Sequence, residues 1–160
     1  MKIQLFELDL TDEEKKFWRP KFRNFFLIND KKIFVPEDIW KVEVIDDICF
    51  VNFRSDSKQK CMEKGYTGTR NIWAFNEKGE KLWEIEDANE SLIHQRILEG
   101  YPREKFYEED GITSKAYTPY TGFNIGKQQH VGKIFVTTSS NFTAELDIKT
   151  GKVFDWIQGK

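Results

Sequence analysis

Apolar residues along this chain fall in short runs separated by polar turn residues, the rhythm of β-hairpins rather than of long helices. Phe25–Ile28 and Ile33–Val35 flank Asn29-Asp30, which predicts a tight hairpin. Val42, Val44 and Ile45 precede Asp46-Asp47, and Ile48–Phe53 follows, a second hairpin whose returning strand is apolar on both faces. Asn71–Phe75 reads as a strand, Asn76–Gly79 as a turn and Lys81–Ile85 as the return strand. The end of the chain repeats this form, with strands over Lys133–Thr138, Thr143–Ile148 and Val153–Ile157 and a turn at Thr150-Gly151.

Helical signals are few. Thr11 and Glu14 have capping-box spacing ahead of Lys15–Trp18, which predicts one or two turns, and Pro20 limits continuation. Asn89 is placed to cap a short helix carrying Leu92, Ile93, Ile97 and Leu98, with Gly100 as its stop. Residues 54–70 are polar and lack sustained periodicity, so they read as a loop. Residues 101–130 predict long loops with one strand near 115–125. The expected fold is mainly β: antiparallel hairpins in a curved sheet or incomplete propeller-like arrangement, with one or two short helices. A length of 160 residues predicts a single domain over 1–160.

Two hairpins share a plan. Ala74–Trp83 and Glu145–Phe154 each run from an apolar residue to Asn or Asp, a polar turn, Gly, charged residues and an apolar strand, aligning with a one-residue gap. Leu146–Phe154 resembles the blade repeat of pyrroloquinoline-quinone-type β-propellers, and Ala74–Trp83 resembles it more loosely. Blades of roughly 40 residues each cannot close a ring in this length. No quinone or other cofactor is expected.

Composition narrows the function classes. The core draws on 14 Phe and 5 Trp rather than on the 2 Met. A formal net charge of −2 argues against a DNA-coating protein. Cys49 and Cys61 read as reduced thiols rather than a disulfide framework. With no signal-peptide pattern and no apolar run of membrane-spanning length, a cytoplasmic protein is expected, and Asn141–Thr143 is an incidental glycosylation match.

Catalytic signatures are weak. His94 and His130 are the histidines, and no G-x-S-x-G elbow accompanies them. The cysteines and histidines lack the two-to-four-residue spacing of zinc ligands, so no metal is expected. Asp147 and Lys149 match half of a D/E-x-K nuclease signature, the alternative being that Asp147 opens the turn ending at Gly151. Gly65–Gly68 lacks the Gly-Lys-Ser/Thr ending of a phosphate loop. Lys15, Lys16, Arg19, Lys21 and Arg23 interleave with Phe17, Trp18, Phe22, Phe25 and Phe26, a pattern that can bind single-stranded nucleic acid. The preferred reading is aromatics facing the core beneath wet basic groups.

The largest charge asymmetry is at 84–110, with nine acids against three bases, hence −6; residues 111–160 carry six bases against three acids. Acids can steer and clamp a basic partner, and tyrosine is a preferred interface anchor. The candidate partner-binding residues are therefore Glu84, Glu86, Asp87, Tyr101, Glu104, Tyr107, Glu108, Glu109, Asp110, Tyr117 and Tyr120.

The order Asn71–Asp87, Pro119–Phe123, Leu146–Phe154 resembles small bacterial immunity proteins of contact-dependent growth inhibition and related polymorphic toxin systems. The resemblance implies a non-enzymatic protein that binds a cognate toxin domain, such as a nuclease, and occludes its active site. It transfers no catalytic residue. The alternatives are a small metal-dependent nuclease or hydrolase using Asp147 and Lys149, or a structural β module. No membrane contact is expected, nor direct binding of nucleic acid.

Overall fold

The computed structural model describes residues 1–17, 19–88, 108–109, 112–113, 119–126, 132–139 and 141–158. Strand β1 (Ile3–Glu7) leads to one 3-10 turn at Glu14–Lys16. The capping box forms there: Glu14 N donates to Thr11 Oγ1 at 3.1 Å, and Thr11 N donates to Glu14 Oε1 at 3.3 Å.

Two hairpins follow, β2 (Phe22–Ile28) with β3 (Lys31–Phe34) and β4 (Ile39–Ile45) with β5 (Ile48–Phe53). Their two-residue loops place Asn29, Asp30, Asp46 and Asp47 at φ of 45°, 69°, 51° and 60°. Positive φ at both loop positions gives the mirror-image turn that matches the strand twist, and short Asn and Asp side chains tolerate it.

Within 54–70, expected as a loop, lies helix α1 (Lys58–Glu63). Lys60 N donates to the Ser57 side chain at 3.4 Å, and Cys61 is the buried residue of the helix. A single buried position in six residues produces no periodicity to read.

Next come β6 (Ile72–Phe75) and β7 (Lys81–Glu84), then the short pair β8 (Glu108–Glu109) and β9 (Ile112–Thr113). The chain finishes with β10 (Tyr120–Ile125), β11 (Ile134–Thr138), β12 (Phe142–Leu146) and β13 (Val153–Gln158). The helix expected between Asn89 and Gly100 lies outside the described residues.

The fold is mainly β, with two principal antiparallel sheets and no closed barrel among the described strands. One sheet runs β1-β2-β4-β5-β6-β7, with β3 also on β2; the other runs β10-β11-β12-β13. Strand β5 is the layer they share. Side chains alternate across a strand, so Cys49, Val51 and Phe53 join Phe26, Ile39, Cys61 and Tyr66 on one face. Phe50 joins Trp83, Tyr120, Phe123, Val136 and Phe142 on the other, between the sheets. Burying each large side chain of this kind contributes about 1.5–3 kcal/mol. No helix among the described residues is long and apolar enough to cross a membrane.

The repeated hairpins are structural equivalents. In β6–β7, Asn76 Oδ1 accepts from Lys78 N and Glu80 N at 3.0 and 2.9 Å; in β12–β13, Asp147 Oδ1 accepts from Lys149 N at 2.9 Å. The alignment gap falls inside the turn: Gly79 N returns to Asn76 O, whereas Gly151 N returns to Asp147 O one residue further on. Each turn seats on the preceding part of the chain. A Cβ on Gly79 would lie 2.7 Å from Ile33 Cδ1, and one on Gly151 would lie 2.7 Å from Trp83 Cε3. Trp83 Nε1 donates to Ile148 O at 2.8 Å, so the indole is held against the second turn.

Candidate binding surfaces

The acids and tyrosines proposed from sequence divide into three groups. Glu84, Glu86, Asp87 and Tyr120 come together where the two sheets meet, but mostly to hold them. Glu86 Oε1 accepts from Val153 N at 2.8 Å. Asp87 accepts from Thr69 Oγ1 at 2.6 Å and from Arg70 Nε and NH2 at 3.3 and 3.1 Å. The hydrogen bond to Asp87 raises the Arg70 pKa further. Glu84 accepts from Lys81 Nζ at 2.8 Å and stays partly exposed.

Tyr120 is a core residue, which corrects its reading as an interface anchor: it is 0% exposed. Its hydroxyl donates to Glu86 O at 2.8 Å. Burial, reinforced by Asp87 and Glu86, pushes its phenol pKa up. Its backbone is gripped by Asn71, whose Oδ1 accepts from Tyr120 N at 2.9 Å and whose Nδ2 donates to Tyr120 O at 2.7 Å. Asn71 Nδ2 also donates to Phe53 O at 2.8 Å, and Asn52 Nδ2 donates to Tyr120 O at 3.3 Å. A Pro-Tyr-Thr-Gly run in a polar stretch does not disclose this, because the buried partner is 49 residues away.

Glu108 and Glu109 form β8, paired with β9. Tyr101, Glu104, Tyr107, Asp110 and Tyr117 lie outside the described residues, as do His94 and His130.

The Asp147–Lys149 pair forms part of the turn, its carboxylate accepting from the Lys149 amide. Among the described residues no three His, Cys, Asp or Glu side chains gather to hold a metal ion. Gly65 terminates α1 at φ 84°, its N–H returning to Met62 O. Cys49 and Cys61 are buried and form no disulfide, and burial pushes the Cys49 thiol up to about 12. The basic–aromatic segment splits: Phe22 and Phe26 pack toward the core, whereas Phe17 is exposed. Phe25 stacks between Phe6 and Phe34 at centroid separations of 5.0 and 5.9 Å, beneath Lys32 Nζ.

Sequence reasoning missed a buried charged cluster at Glu37. This carboxylate is 5% exposed. Its Oε2 accepts from Arg54 NH2 at 2.9 Å, and its Oε1 accepts from Tyr66 OH at 3.1 Å and from Lys64 Nζ. The hydrogen bond to Glu37 raises the Lys64 pKa, and burial raises that of Tyr66. Glu37 sits in an unremarkable polar connection, 17 residues before Arg54 and 27 before Lys64. No local signal could have joined them.

Arg54 also lines a cleft of about 480 Å³, with Leu8, Leu10, Arg19, Pro20, Asp38 and Trp40. An adjoining cavity of about 350 Å³ shares Leu8, Leu10 and Arg19 and adds Glu7, Lys15, Phe17 and Lys21. On the second sheet, Phe154 and Ile157 are exposed on the edge strand β13. Asp155 at φ 55° lies within an irregularity of pairing there, a device that discourages edge-to-edge association.

Residues 22–98, just under half of the chain, match the profile of a family described as a domain of unknown function (DUF7957). The matched stretch holds β2 to β7 and the whole Glu37 cluster. No curated protein and no solved structure matches the chain.

Proposed function

We propose that this chain is a non-enzymatic binding protein that neutralises a cognate bacterial toxin domain in the cytoplasm of the cell that makes both. The observation that carries the reading is convergence. The three stretches in which the sequence resembles immunity proteins are far apart in the chain yet form one junction. Asn71 grips Tyr120, Trp83 donates to Ile148, and Glu86 binds Val153. A resemblance spread over one co-packed unit is what a shared scaffold would leave.

The scaffold suits the task. Two of its charged groups at this junction, Glu86 and Asp87, are locked into internal bonds, and the sequence of the 84–110 segment carries nine acids against three bases. A surplus of acid on that segment would draw a basic partner and complement its field. A nuclease is the favoured class of partner, because its cleft must be basic to attract phosphates. Occlusion of that cleft requires no chemistry from the inhibitor.

Co-expression with the toxin-like product of a neighbouring gene tests the proposal. The expected result is a stoichiometric complex on size exclusion and rescue of growth. Glu84→Lys should slow association at low salt, since an exposed charge acts mainly on the encounter rate. Persistent growth arrest with no complex would overturn the reading.

A further inference from the structure

We infer that the cleft between the N-terminal segment and β4 is a binding site for an anion carried on an apolar body, either a carboxylate or a phosphate ester. Two guanidinium groups from distant parts of the chain, Arg19 and Arg54, line one concavity of about 480 Å³. Ligand pockets commonly span about 300–1,000 Å³. Leu8, Leu10 and Trp40 supply apolar wall, and Asp38 is the lone acid of the lining among the described residues. The adjoining cavity adds further surplus base. The lining is thus positive in a chain whose formal net charge is −2.

Arg54 is the anchoring group. Glu37 holds its NH2 at 2.9 Å from within the protein, while NH1 lies 3.9 Å from Asp56, beyond hydrogen-bond length. The fork is therefore oriented yet keeps donors for a ligand, and a guanidinium plane matches a carboxylate or phosphate with two parallel bonds. Among the described residues, Arg19 is paired with Glu14 alone, an exposed contact at 3.7 Å that a ligand can displace at small cost. Neither the sequence resemblance nor the toxin-binding proposal requires this site, so the two stand or fall separately.

The test titrates the full chain with phenyl phosphate, phenylacetate and benzyl alcohol, following the indole N–H resonance of Trp40, assigned with Trp40→Phe. The expected result is saturable movement with one or both anions and none with the neutral alcohol. Response to phenyl phosphate alone assigns a phosphate ester, and response to phenylacetate alone a carboxylate. Arg54→Gln would strip buried Glu37 of a partner and risk the fold, so Arg19→Gln is the informative variant. It should melt as the parent does and bind about tenfold more weakly, the loss of one charge-assisted hydrogen bond. Equal response to benzyl alcohol, no saturable response to either anion, or undiminished binding by Arg19→Gln would overturn the proposal.

Discussion

Gly151 meets two demands at once. Its φ is 77°, and an added Cβ would lie 2.7 Å from Trp83 Cε3 and 3.0 Å from the Glu84 carbonyl oxygen. Gly65 has the first demand without the second, with φ 84° and nothing within 4 Å. Comparing alanine substitutions separates conformation from contact. Gly65→Ala should cost about 1 kcal/mol, the price of a left-handed alanine. Gly151→Ala should cost about 2–4 kcal/mol, because overpacking against a held indole adds to it. Urea unfolding of both variants measures the difference. Similar losses would show that Trp83 moves aside freely. The glycine is legible in the sequence as a turn former; its close contact is not, since Trp83 is brought there by the meeting of two sheets.

At the scale of elements, β2 to β7 and β10 to β13 were readable, whereas β1, β8, β9 and the partners across each face were not. The near-continuous apolar run Ile48–Phe53 predicts a strand apolar on both sides, and β5 is indeed buried on both. The polar residue in that strand, Asn52, is 0% exposed and works with Asn71 to join β5, β6 and β10. Asn71→Ala should cost about 3 kcal/mol, because it removes the carboxamide partner of Phe53 O and Tyr120 N and leaves Tyr120 O with Asn52 alone. Thermal unfolding followed by tryptophan fluorescence checks this. A loss below about 1 kcal/mol would mean that water replaces the carboxamide. Helix α1 escaped notice for the opposite reason: its cap, Ser57, is common in loops, and its burial rests on Cys61 alone.

The whole molecule titrates in a direction set by its core. Burial raises Cys49 to about 12 from an ordinary 9.0, and raises Tyr66 and Tyr120 as well. Above pH 9 the unfolded chain releases protons that the folded chain keeps. Stability is therefore fully present below that pH and falls as pH rises toward 12. The fall should steepen above about 10, where unfolded tyrosines ionise. Tyrosinate absorbance during alkaline titration reads this out: part of the signal should appear only with loss of native structure. Full ionisation while the fold persists would contradict the burial of both phenols.

Local chemistry by itself determined the hairpins, the capping box at Thr11 and the two related turns, because alternation, side-chain capping and positive φ act within a few residues. Tertiary structure decided which of those residues are accessible. It put Tyr120 in the core, spent Glu86 and Asp87 on internal bonds, and assembled Glu37, Arg54, Lys64 and Tyr66 around one buried carboxylate. It also set Arg19 and Arg54 on one cleft. Those outcomes depend on contacts between residues tens of positions apart, and a charge or ring in a sequence carries no mark of the partner that a folded sheet will bring to it.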